Sequence, residues 1–311
     1  MQRVLSSQPF PLSLRGGVVA LGNFDGFHLG HQAVVGRAVE LARARNVPAI
    51  VATFDPHPQR HFKPDTPPFR LTTLDQRQRL FAAAGADAML VLEFGAELAG
   101  MDADAFVHHL LLGQLGVSGV VTGGDFVYGR GRGGNGATLS AAAQAYDFTY
   151  SIVPPVERDG AVISSSRVRD ALRRGDCATA TALLTRPYTI AGVVQHGDKV
   201  GRTLGFPTAN IDMAQYLRPA YGIYAVTGTL ADGRVLHGAA NMGIRPSFDP
   251  PKELLEPHFF DFSGDLYGQS IAVAFHAFLR GEERFETMDA LTAQIARDCD
   301  NARKALSALS L

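Results

Sequence analysis

The segment Gly22–His31, Gly-Asn-Phe-Asp-Gly-Phe-His-Leu-Gly-His, combines residue types that can bind phosphate and neutralise its charge. The apolar run Val18–Leu21 precedes it and the amphipathic run Leu29–Ala44 follows it, which predicts a strand, a tight glycine turn and a helix. Free N–H groups and the helix dipole favour an anion at such a helix start. His28 and His31 are three residues apart and therefore share one face of the first helical turn. The pattern indicates a reaction that builds negative charge on phosphorus beside two imidazoles.

A packed turn carrying two solvated histidines is the alternative interpretation of this segment, because histidine is often partly buried without a chemical role. The glycines, asparagine and aspartate that share the same short turn weaken this alternative. A zinc site is disfavoured, since the chain has no His-Glu-x-x-His motif and Cys177 and Cys299 lie far from the turn in sequence.

A second segment suited to phosphate is Ser164–Arg169, Ser-Ser-Ser-Arg-Val-Arg, which opens a helical run to Arg174. Helix capping accounts for one serine, but not for three serines followed by Arg167 and Arg169. Hydroxyls, free N–H groups and a guanidinium at a helix start predict a second polyphosphate cradle.

Two further loops follow predicted strands. Thr53–Pro58 carries prolines that stiffen the exit from the sheet, and Phe54 and His57 offer aromatic surfaces to a flat ligand. The glycine-rich stretch Gly123–Gly136 is interpreted as a flexible loop that closes over a ligand rather than as a nucleic-acid-binding RGG segment. A P-loop fold is disfavoured because no Walker lysine motif is present.

The second half of the chain has its own phosphate signature in His196–Asn210, again after a predicted strand. Glycines let the backbone approach phosphates closely, and this segment has three of interest: Gly197, Gly201 and Gly205. If the segment is extended, Thr208 and Asn210 lie on one face, and their side-chain oxygens suit a magnesium ion held partly by nucleotide phosphates. The alternative is a polar barrel loop with a structural Pro-Thr pair.

Glu256 is the candidate base for phosphate transfer to an alcohol, which is a weak nucleophile until its proton is removed. The sequence Glu253–Phe262 predicts that Glu256 stands at the start of an aromatic strand. An exposed glutamate at a strand end remains the alternative.

Short apolar runs alternate with helical patterns from Val18 to about Leu184, which predicts an α/β fold with a parallel sheet and helices on both faces. The predicted strands are Val18–Leu21, Ala49–Phe54, Ala88–Leu92, Gly119–Thr122 and Phe148–Val153. The predicted helices are Leu29–Ala44, Leu74–Ala84, Ala103–Leu115 and Leu139–Ala145. Because ligands gather at the carboxyl ends of parallel strands, the loops Gly22–His31, Phe54–Pro58 and Gly123–Gly136 are expected to line one crevice.

After Arg186-Pro187 the pattern changes to strands joined by turns, which predicts an antiparallel sheet or small barrel. The predicted strands are Tyr188–Gln195, Gly222–Thr229, Val235–Met242, His258–Phe262 and Ile271–Phe278. A C-terminal helix follows from about Phe285, with an apolar stripe expected to pack on the barrel. The stripe consists of Met288, Leu291, Ile295, Cys299, Ala302, Leu306 and Leu309. The predicted domains are residues 1–185 and 186–311.

Bulk properties narrow the class of protein. A chain of 311 residues has room for two domains, and 29 basic against 30 acidic residues give no support for a nucleic-acid or anionic-membrane partner. Two cysteines make no disulfide framework. The N-terminal apolar stretch is short and broken by Pro9 and Pro11, unlike a signal peptide, and no run is long enough for a membrane helix. A cytoplasmic location is expected.

These motifs together resemble the bacterial bifunctional riboflavin kinase/FMN adenylyltransferase family, also called prokaryotic FAD synthetase, from about Val18 to Ala302. Gly22–His31 resembles the family's nucleotidyltransferase motif with its HxGH core, and Ser164–Arg169 is similar to its second nucleotide-binding motif. Gly205–Asn210, Gly-Phe-Pro-Thr-Ala-Asn, matches the kinase signature. The resemblance implies a Rossmann-like adenylyltransferase domain followed by a β-barrel riboflavin kinase domain. The barrel would phosphorylate riboflavin to FMN, and the first domain would transfer AMP from ATP to FMN, releasing pyrophosphate.

The motifs and the resemblance together assign roles to particular residues, and the resemblance implies that His28, His31, Ser165 and Arg169 handle the ATP phosphates. The catalytic set would be His28, His31, Arg169 and Glu256. ATP would be bound by Gly22, Asn23, Phe24, Asp25, Gly26, Gly30, Ser164, Ser165, Ser166, Gly197, Gly201, Arg202 and Gly205. Flavin would lie near Phe54, Pro56, His57, Pro58 and Asp125. Mg²⁺ would be held by Thr208 and Asn210.

The chain departs from the family pattern at three places. Ser166 and Ser247 stand where the family usually has threonine, and each keeps the hydroxyl. Pro257 directly follows the candidate base, where it can shift the carboxylate. Two rival functions are a single-activity adenylyltransferase with a substrate-binding second domain and a flavin-binding sensor. Thr208, Asn210 and Glu256 speak against both rivals, because binding alone needs neither magnesium ligands nor a base.

Overall fold

The computed structural model describes residues 1–196, 201, 204–245 and 252–309. The chain divides into two compact units. The first comprises Met1–Pro67 and Thr73–Ser164, and the second comprises Pro68–Thr72 and Ser165–Leu311.

A six-stranded parallel sheet forms the centre of the first unit, with strand order β1-β4-β3-β2-β5-β6. Its strands are β1 (Gln2–Leu5), β2 (Val18–Leu21), β3 (Ala49–Asp55), β4 (Ala88–Glu93), β5 (Gly119–Gly123) and β6 (Thr149–Val153). The central strand β2 is buried at every residue, as expected for a parallel strand covered on both faces.

Helices connect these strands and cover both faces of the sheet. They are α1 (Leu29–Arg45), α2 (Pro58–Phe62), α3 (Leu74–Ala83), α4 (Ala96–Gly100), α5 (Ala103–Ala105) and α6 (Gly136–Ala145). α5 continues as a π-helix over Phe106–Leu115, and a short hairpin, β7 (Glu157–Arg158) with β8 (Ala161–Val162), ends the unit.

Two separate apolar clusters, one on each face, hold the sheet between its helices. Successive residues of β2 alternate between them: Val19 and Leu21 belong to one cluster, Val18 and Ala20 to the other. The predicted parallel α/β fold is therefore confirmed, although β1, α2 and α4 were not predicted.

A closed six-stranded barrel forms the second unit, with strand order β10-β13-β12-β11-β14-β9 and antiparallel pairing throughout. Its strands are β9 (Tyr188–Gln195), β10 (Asn210–Ile211), β11 (Gly222–Leu230), β12 (Val235–Arg245), β13 (Lys252–Phe259) and β14 (Ser270–Arg280). The predicted barrel is confirmed.

The C-terminal helix α9 (Met288–Ser307) packs on the outer face of this barrel. Cys299, Ala302 and Leu306 are buried against Ala225 and Ala239, as the apolar stripe predicts. The two ends of the predicted stripe are wrong, because Met288 and Leu309 are about half exposed. The helix is anchored by an ion pair in which Arg280 donates three hydrogen bonds to Asp298 (2.7, 2.9 and 3.2 Å).

Two helices that precede the barrel in sequence, α7 (Ser165–Arg173) and α8 (Cys177–Leu184), belong to the second unit. α7 packs on α8, and α8 packs on the barrel strands β9 and β14. The boundary between compact units thus follows Ser164, earlier than the predicted boundary at residue 185.

A strap from the first half of the chain, Pro68–Thr72, also belongs to the second unit. Arg70 pairs with the segment after β10: its N–H donates to the carbonyl of Gln215 (3.1 Å), and its carbonyl accepts from Leu217 (2.8 Å). No sequence pattern predicted this pairing.

The predicted strand His258–Phe262 is wrong in its bounds, because β13 runs over Lys252–Phe259 and includes Pro257. Proline lacks an N–H and argues against a strand interior. In a strand the N–H and C=O of one residue point to the same side, and Pro257 directs its carbonyl to the N–H of Ala209 (2.9 Å). The N–H that Pro257 lacks would face Ala209, which lies just outside the two-residue strand β10. On its other side, β13 keeps its pairing with β12.

Candidate functional site

The turn between β2 and α1 has an unusual backbone. Phe24, Gly26 and Phe27 all have left-handed φ angles, of 49°, 83° and 46°. This conformation costs a non-glycine residue about 1–3 kcal/mol, so it persists where packing imposes it. Both phenylalanines are buried, and their rings meet Phe81 of α3 edge to face, with centroids 5.7 and 5.2 Å away.

The two histidines of the predicted phosphate turn lie together. His28 is the N-cap of α1, and its Nδ1 accepts a hydrogen bond from the N–H of His31 (3.4 Å). Their rings stack at a centroid distance of 3.7 Å and an angle of 19°. Because Nδ1 of His28 is an acceptor, the ring proton lies on Nε2, where it serves as a donor. His28 is 5% exposed, and Asp25 of the same turn is also buried.

Three predicted ligand loops follow three neighbouring strands of the first sheet. Gly22–His31 follows β2, Phe54–Pro58 begins in β3, and Gly123–Gly136 begins in β5, and β3, β2 and β5 are adjacent and parallel. Their carboxyl ends therefore meet at one edge of the sheet, where ligands of open α/β sheets bind.

The segment predicted to contact flavin is only partly exposed. Phe54 is buried in the core and meets Phe94 edge to face, whereas Pro56 is exposed and His57 and Pro58 are half-buried. The Asp55–Pro56 peptide bond is cis. His57 caps α2, accepting the N–H of Gln59 at Nδ1 (3.1 Å).

An aromatic cluster beside this segment escaped the sequence analysis. The rings of His61, Phe62 and Phe94 lie within 5.2–5.8 Å of each other, edge to face, and Phe62 is 65% exposed. The sequence offered one signal for this cluster, the aromatic pair His61 and Phe62 shortly after Pro58. Phe94 is distant in sequence and joins the cluster from the position that directly follows β4.

The glycine-rich stretch after β5 contains an internal backbone bridge. Tyr128 and Gly134 exchange N–H···O=C hydrogen bonds of 3.0 and 2.9 Å, and the buried Tyr128 ring lies where a side chain at position 134 would stand. Asp125, the predicted flavin residue, is exposed at the start of this stretch. Closure of the loop over a ligand stays a prediction.

The predicted second phosphate segment begins α7. Ser165 is its first residue, Ser166 is exposed, and Arg169 is half-buried. Arg169 donates from Nε to the carbonyl of Phe69 (2.9 Å), and its guanidinium carbon lies 5.3 Å from the Phe69 ring centroid. These contacts fix the Arg169 side chain against the strap Pro68–Thr72 within the second unit. Ser164 belongs to the first unit.

A row of polar side chains crosses three strands on the outer face of the barrel. Ile211, Leu255 and Met242 point into the apolar interior. Alternation then directs Asn210 and Glu256 outward. Ile211 lies opposite Leu255, so Asn210 lies opposite Glu256, which in turn is paired with Asn241 of β12. Opposite residues on one face have Cβ atoms about 4.5–5.5 Å apart.

Although this row faces outward, it is covered. Asn210 is 6% exposed and Glu256 is 7% exposed. Pro207 lies over β13, with its carbonyl accepting a hydrogen bond from Nδ1 of His258 (2.8 Å). Oδ1 of Asn210 is buried and has no hydrogen-bond partner among the residues that the structure describes. A buried carbonyl oxygen left open in this way suits a metal ion or a ligand donor.

The remaining kinase-type residues are distributed as follows. Thr208 is half-buried and stands two positions before Asn210, and Gly205 is exposed with a φ of 82°. The carbonyl of Gly201 accepts hydrogen bonds from the N–H groups of Leu204 and Phe206. Gly197, Arg202 and the Pro246-Ser247-Phe248 segment lie outside the described residues. Asn241 was missed by sequence analysis, because only strand register brings it beside Glu256.

Comparison with known proteins identifies the family. The FAD synthetase profile matches residues 11–167, and the riboflavin kinase profile matches residues 184–306. A bifunctional riboflavin kinase/FMN adenylyltransferase of Escherichia coli (strain K12) is 40% identical over 289 residues, covering 93% of this chain and 92% of the relative. The chain belongs to the bifunctional riboflavin kinase/FMN adenylyltransferase family. The resemblance inferred from the motifs is thereby confirmed.

Two further proteins are similar to nearly the whole chain. The Bacillus subtilis (strain 168) bifunctional riboflavin kinase/FMN adenylyltransferase is 36% identical, with coverage of 94% of this chain and 93% of the relative. A crystal structure from Streptococcus pneumoniae, described as a macrolide-efflux protein, matches with a TM-score of 0.86 and 29% identity over 96% of this chain and 97% of that one. Among the described residues, no helix is long and apolar enough to cross a membrane.

Proposed function

We propose that the chain is a bifunctional transferase in which the barrel phosphorylates riboflavin to FMN and the parallel-sheet unit adenylylates FMN to FAD. In terms of the predicted domains, residues 186–311 carry the kinase reaction and residues 1–185 the adenylyl transfer. The observation that carries the proposal is the presence of one phosphate-suited site in each half: the His28–His31 pair at the start of α1 and the Asn210–Glu256 pair on the barrel wall.

In adenylyl transfer, a phosphate oxygen of FMN attacks the α-phosphorus of ATP. The bond from that phosphorus to the bridging oxygen breaks, and pyrophosphate leaves. The attacking oxygen is already ionised at neutral pH, so the reaction needs alignment and charge neutralisation more than a base. His28 donates from Nε2 to a phosphate oxygen, His31 fixes the His28 ring by stacking, and the N–H groups at the start of α1 hold the anion.

The other groups assigned to the first reaction bind its substrates. Within the first unit, ATP is bound by Ser164 and by the turn residues Gly22, Asn23, Phe24, Asp25, Gly26 and Gly30. Ser165, Ser166 and Arg169 at the start of α7 are, by the resemblance, assigned to polyphosphate binding. Flavin lies against Pro56, His57, Pro58 and Asp125, with Phe54 supporting them from the core and the exposed ring of Phe62 extending the aromatic surface.

In the kinase reaction, the terminal ribityl hydroxyl of riboflavin attacks the γ-phosphorus of ATP, and ADP leaves. Glu256 accepts the hydroxyl proton as the new O–P bond forms. Its burial among Asn210, Asn241 and the overlying Pro207 segment excludes water, and this favours transfer to the alcohol over hydrolysis.

The residues present fit a magnesium ion in the kinase site. Oδ1 of Asn210 is buried and without a partner among the described residues, and the Thr208 hydroxyl stands two positions before it. The described residues hold no cluster of three or more His, Cys, Asp or Glu side chains suited to a metal. Nucleotide phosphates and water are the other ligands that Mg²⁺ usually takes in such sites. When bound, the ion would neutralise negative charge on the phosphates.

A time course with riboflavin, ATP and magnesium tests the proposal. FMN should accumulate first and FAD should follow. FAD formed only from added FMN would point to an adenylyltransferase with a binding barrel, and no product would point to a flavin-binding sensor. The cytoplasmic location and the absence of nucleic-acid and membrane partners remain predictions from the sequence.

A further inference from the structure

Beneath the phosphate turn of the first unit lies a buried arginine that no motif included. Arg77 of α3 is 2% exposed, and its Nη1 donates to the Asn23 carbonyl (3.2 Å) and to Oγ1 of Thr53 (2.8 Å). Thr53, at 0% exposure near the end of β3, donates from the same Oγ1 to the Asn23 carbonyl (2.8 Å). The Asn23 carbonyl thus accepts two hydrogen bonds from below while Asn23 itself is exposed.

This carbonyl lies at the entrance of the left-handed turn. Asn23 directly precedes Phe24, the first of the residues with positive φ, and the turn ends at the N-cap His28. The orientation of the Asn23 peptide plane sets the direction in which the following chain leaves β2. Rotation of that plane would move the N–H groups of the turn and the imidazole of His28 together.

A single face of α3 supports the turn at both of its ends. Arg77 and Phe81 are one helical turn apart and share a face; Arg77 holds the Asn23 carbonyl, and Phe81 packs against Phe24 and Phe27. The start of α3 is itself fixed by a capping box between Thr73 and Gln76.

We infer that Arg77, acting through Thr53 and the Asn23 carbonyl, is a positioning residue for adenylyl transfer. It has no need to touch the substrate. Its guanidinium holds the turn in the one conformation in which His28 and the N–H groups of α1 meet the transferring phosphate. The inference rests on the proposed adenylyl transfer and adds α3 to the apparatus of that reaction.

Kinetics of four variants test this inference. Arg77→Met removes the guanidinium and its charge, whereas Arg77→Lys keeps the charge. Thr53→Val removes the hydroxyl group at nearly constant volume, whereas Thr53→Ser keeps the hydroxyl group. Misplacement of a positioned group by about 1 Å can cost 100-fold in rate. Arg77→Met and Thr53→Val should therefore lower kcat for FAD formation about 10- to 100-fold, with KM values for ATP and FMN changed much less. Thr53→Ser should recover most of the rate.

The matched control is Thr122→Val. Thr122 is an equally buried threonine on the neighbouring strand β5, but its hydroxyl bonds Tyr150 (2.8 Å) rather than the turn. It should keep kcat although it, too, loses a buried hydrogen bond. Phosphorylation of riboflavin by the same samples reports that the second unit is folded, and near-ultraviolet circular dichroism with thermal unfolding reports on the first.

Three results would overturn the inference: parent kcat in Arg77→Met and Thr53→Val, equal loss in Thr53→Ser and Thr53→Val, or a loss in Thr122→Val as large as theirs. A parent protein that forms no FAD from FMN and ATP would instead refute the proposed function, so the two failures are distinguishable.

Discussion

Replacement of His28 by alanine separates the structural from the chemical role of this side chain. The cap hydrogen bond from His31 is long, at 3.4 Å, so its loss should cost the low end of the usual range for an N-cap, about 0.5–1 kcal/mol. A domain with a stability of about 5–15 kcal/mol stays folded after such a loss. The Nε2 donor, by contrast, stabilises charge that develops in the transition state, and loss of such a donor costs about 2.7–4 kcal/mol, or 100- to 1,000-fold in kcat.

Initial rates of FAD formation, with ATP and FMN varied in turn, measure this effect. His28→Ala should lower kcat 100-fold or more, with a small change in the KM for ATP and no change in riboflavin phosphorylation. His28→Asn restores a good N-cap and should recover the melting temperature without recovering kcat. His109→Ala, at an exposed histidine of the same unit, is the control. The reasoning fails if His28→Ala makes FAD at the parent rate, or if His28→Asn recovers the rate together with the stability.

Three further predictions concern the barrel and the sheet. Glu256→Gln should abolish most riboflavin phosphorylation while FMN adenylylation continues, measured by product chromatography; equal loss of both activities would indicate a folding defect instead. Arg280→Met leaves the buried Asp298 carboxylate without its guanidinium partner and should lower the unfolding free energy by about 3 kcal/mol, measured by urea titration; an unchanged midpoint would contradict this. The hydrogen bond from Arg43 holds the pKa of the Asp87 carboxyl below its usual range. The ionised carboxylate therefore stabilises the fold above the pKa that Asp87 has in the unfolded chain, and this stabilisation is lost as the pH falls through its pKa in the folded protein. Below about pH 4 the parent should therefore lose stability more steeply than Asp87→Asn, and parallel acid titrations of the two proteins would contradict this.

Periodic elements were predictable from sequence, because burial on a known face repeats along the chain. β2 and β9 coincide with their predicted bounds, and α1 differs by one residue at its end. The two histidines of the turn were predictable as neighbours, since three-residue spacing at a helix start brings side chains together.

Features that depend on long-range pairing were not predictable. The sequence placed this strand at His258–Phe262, whereas β13 runs over Lys252–Phe259. Pro257 is tolerated inside β13 because the two-residue strand β10 does not extend to the position that faces it. Asn241 joins the Glu256 row only through strand register, and Arg77 reaches the turn only because α3 packs beneath it. In each case the deciding contact joins residues far apart in sequence, where local patterns carry no information.

The strap Pro68–Thr72 has a practical consequence for dividing this protein into fragments. A fragment that begins at residue 186 lacks α8, which packs on β9 and β14, and α7, which packs on α8. It also lacks the backbone partner of Gln215 and Leu217. Starting the fragment at Ser165 restores the helices but still omits the strap, because those five residues are encoded some hundred positions upstream. Supplying a synthetic peptide of the strap sequence in trans would return the missing backbone partners, much as a detached strand can complement a truncated sheet.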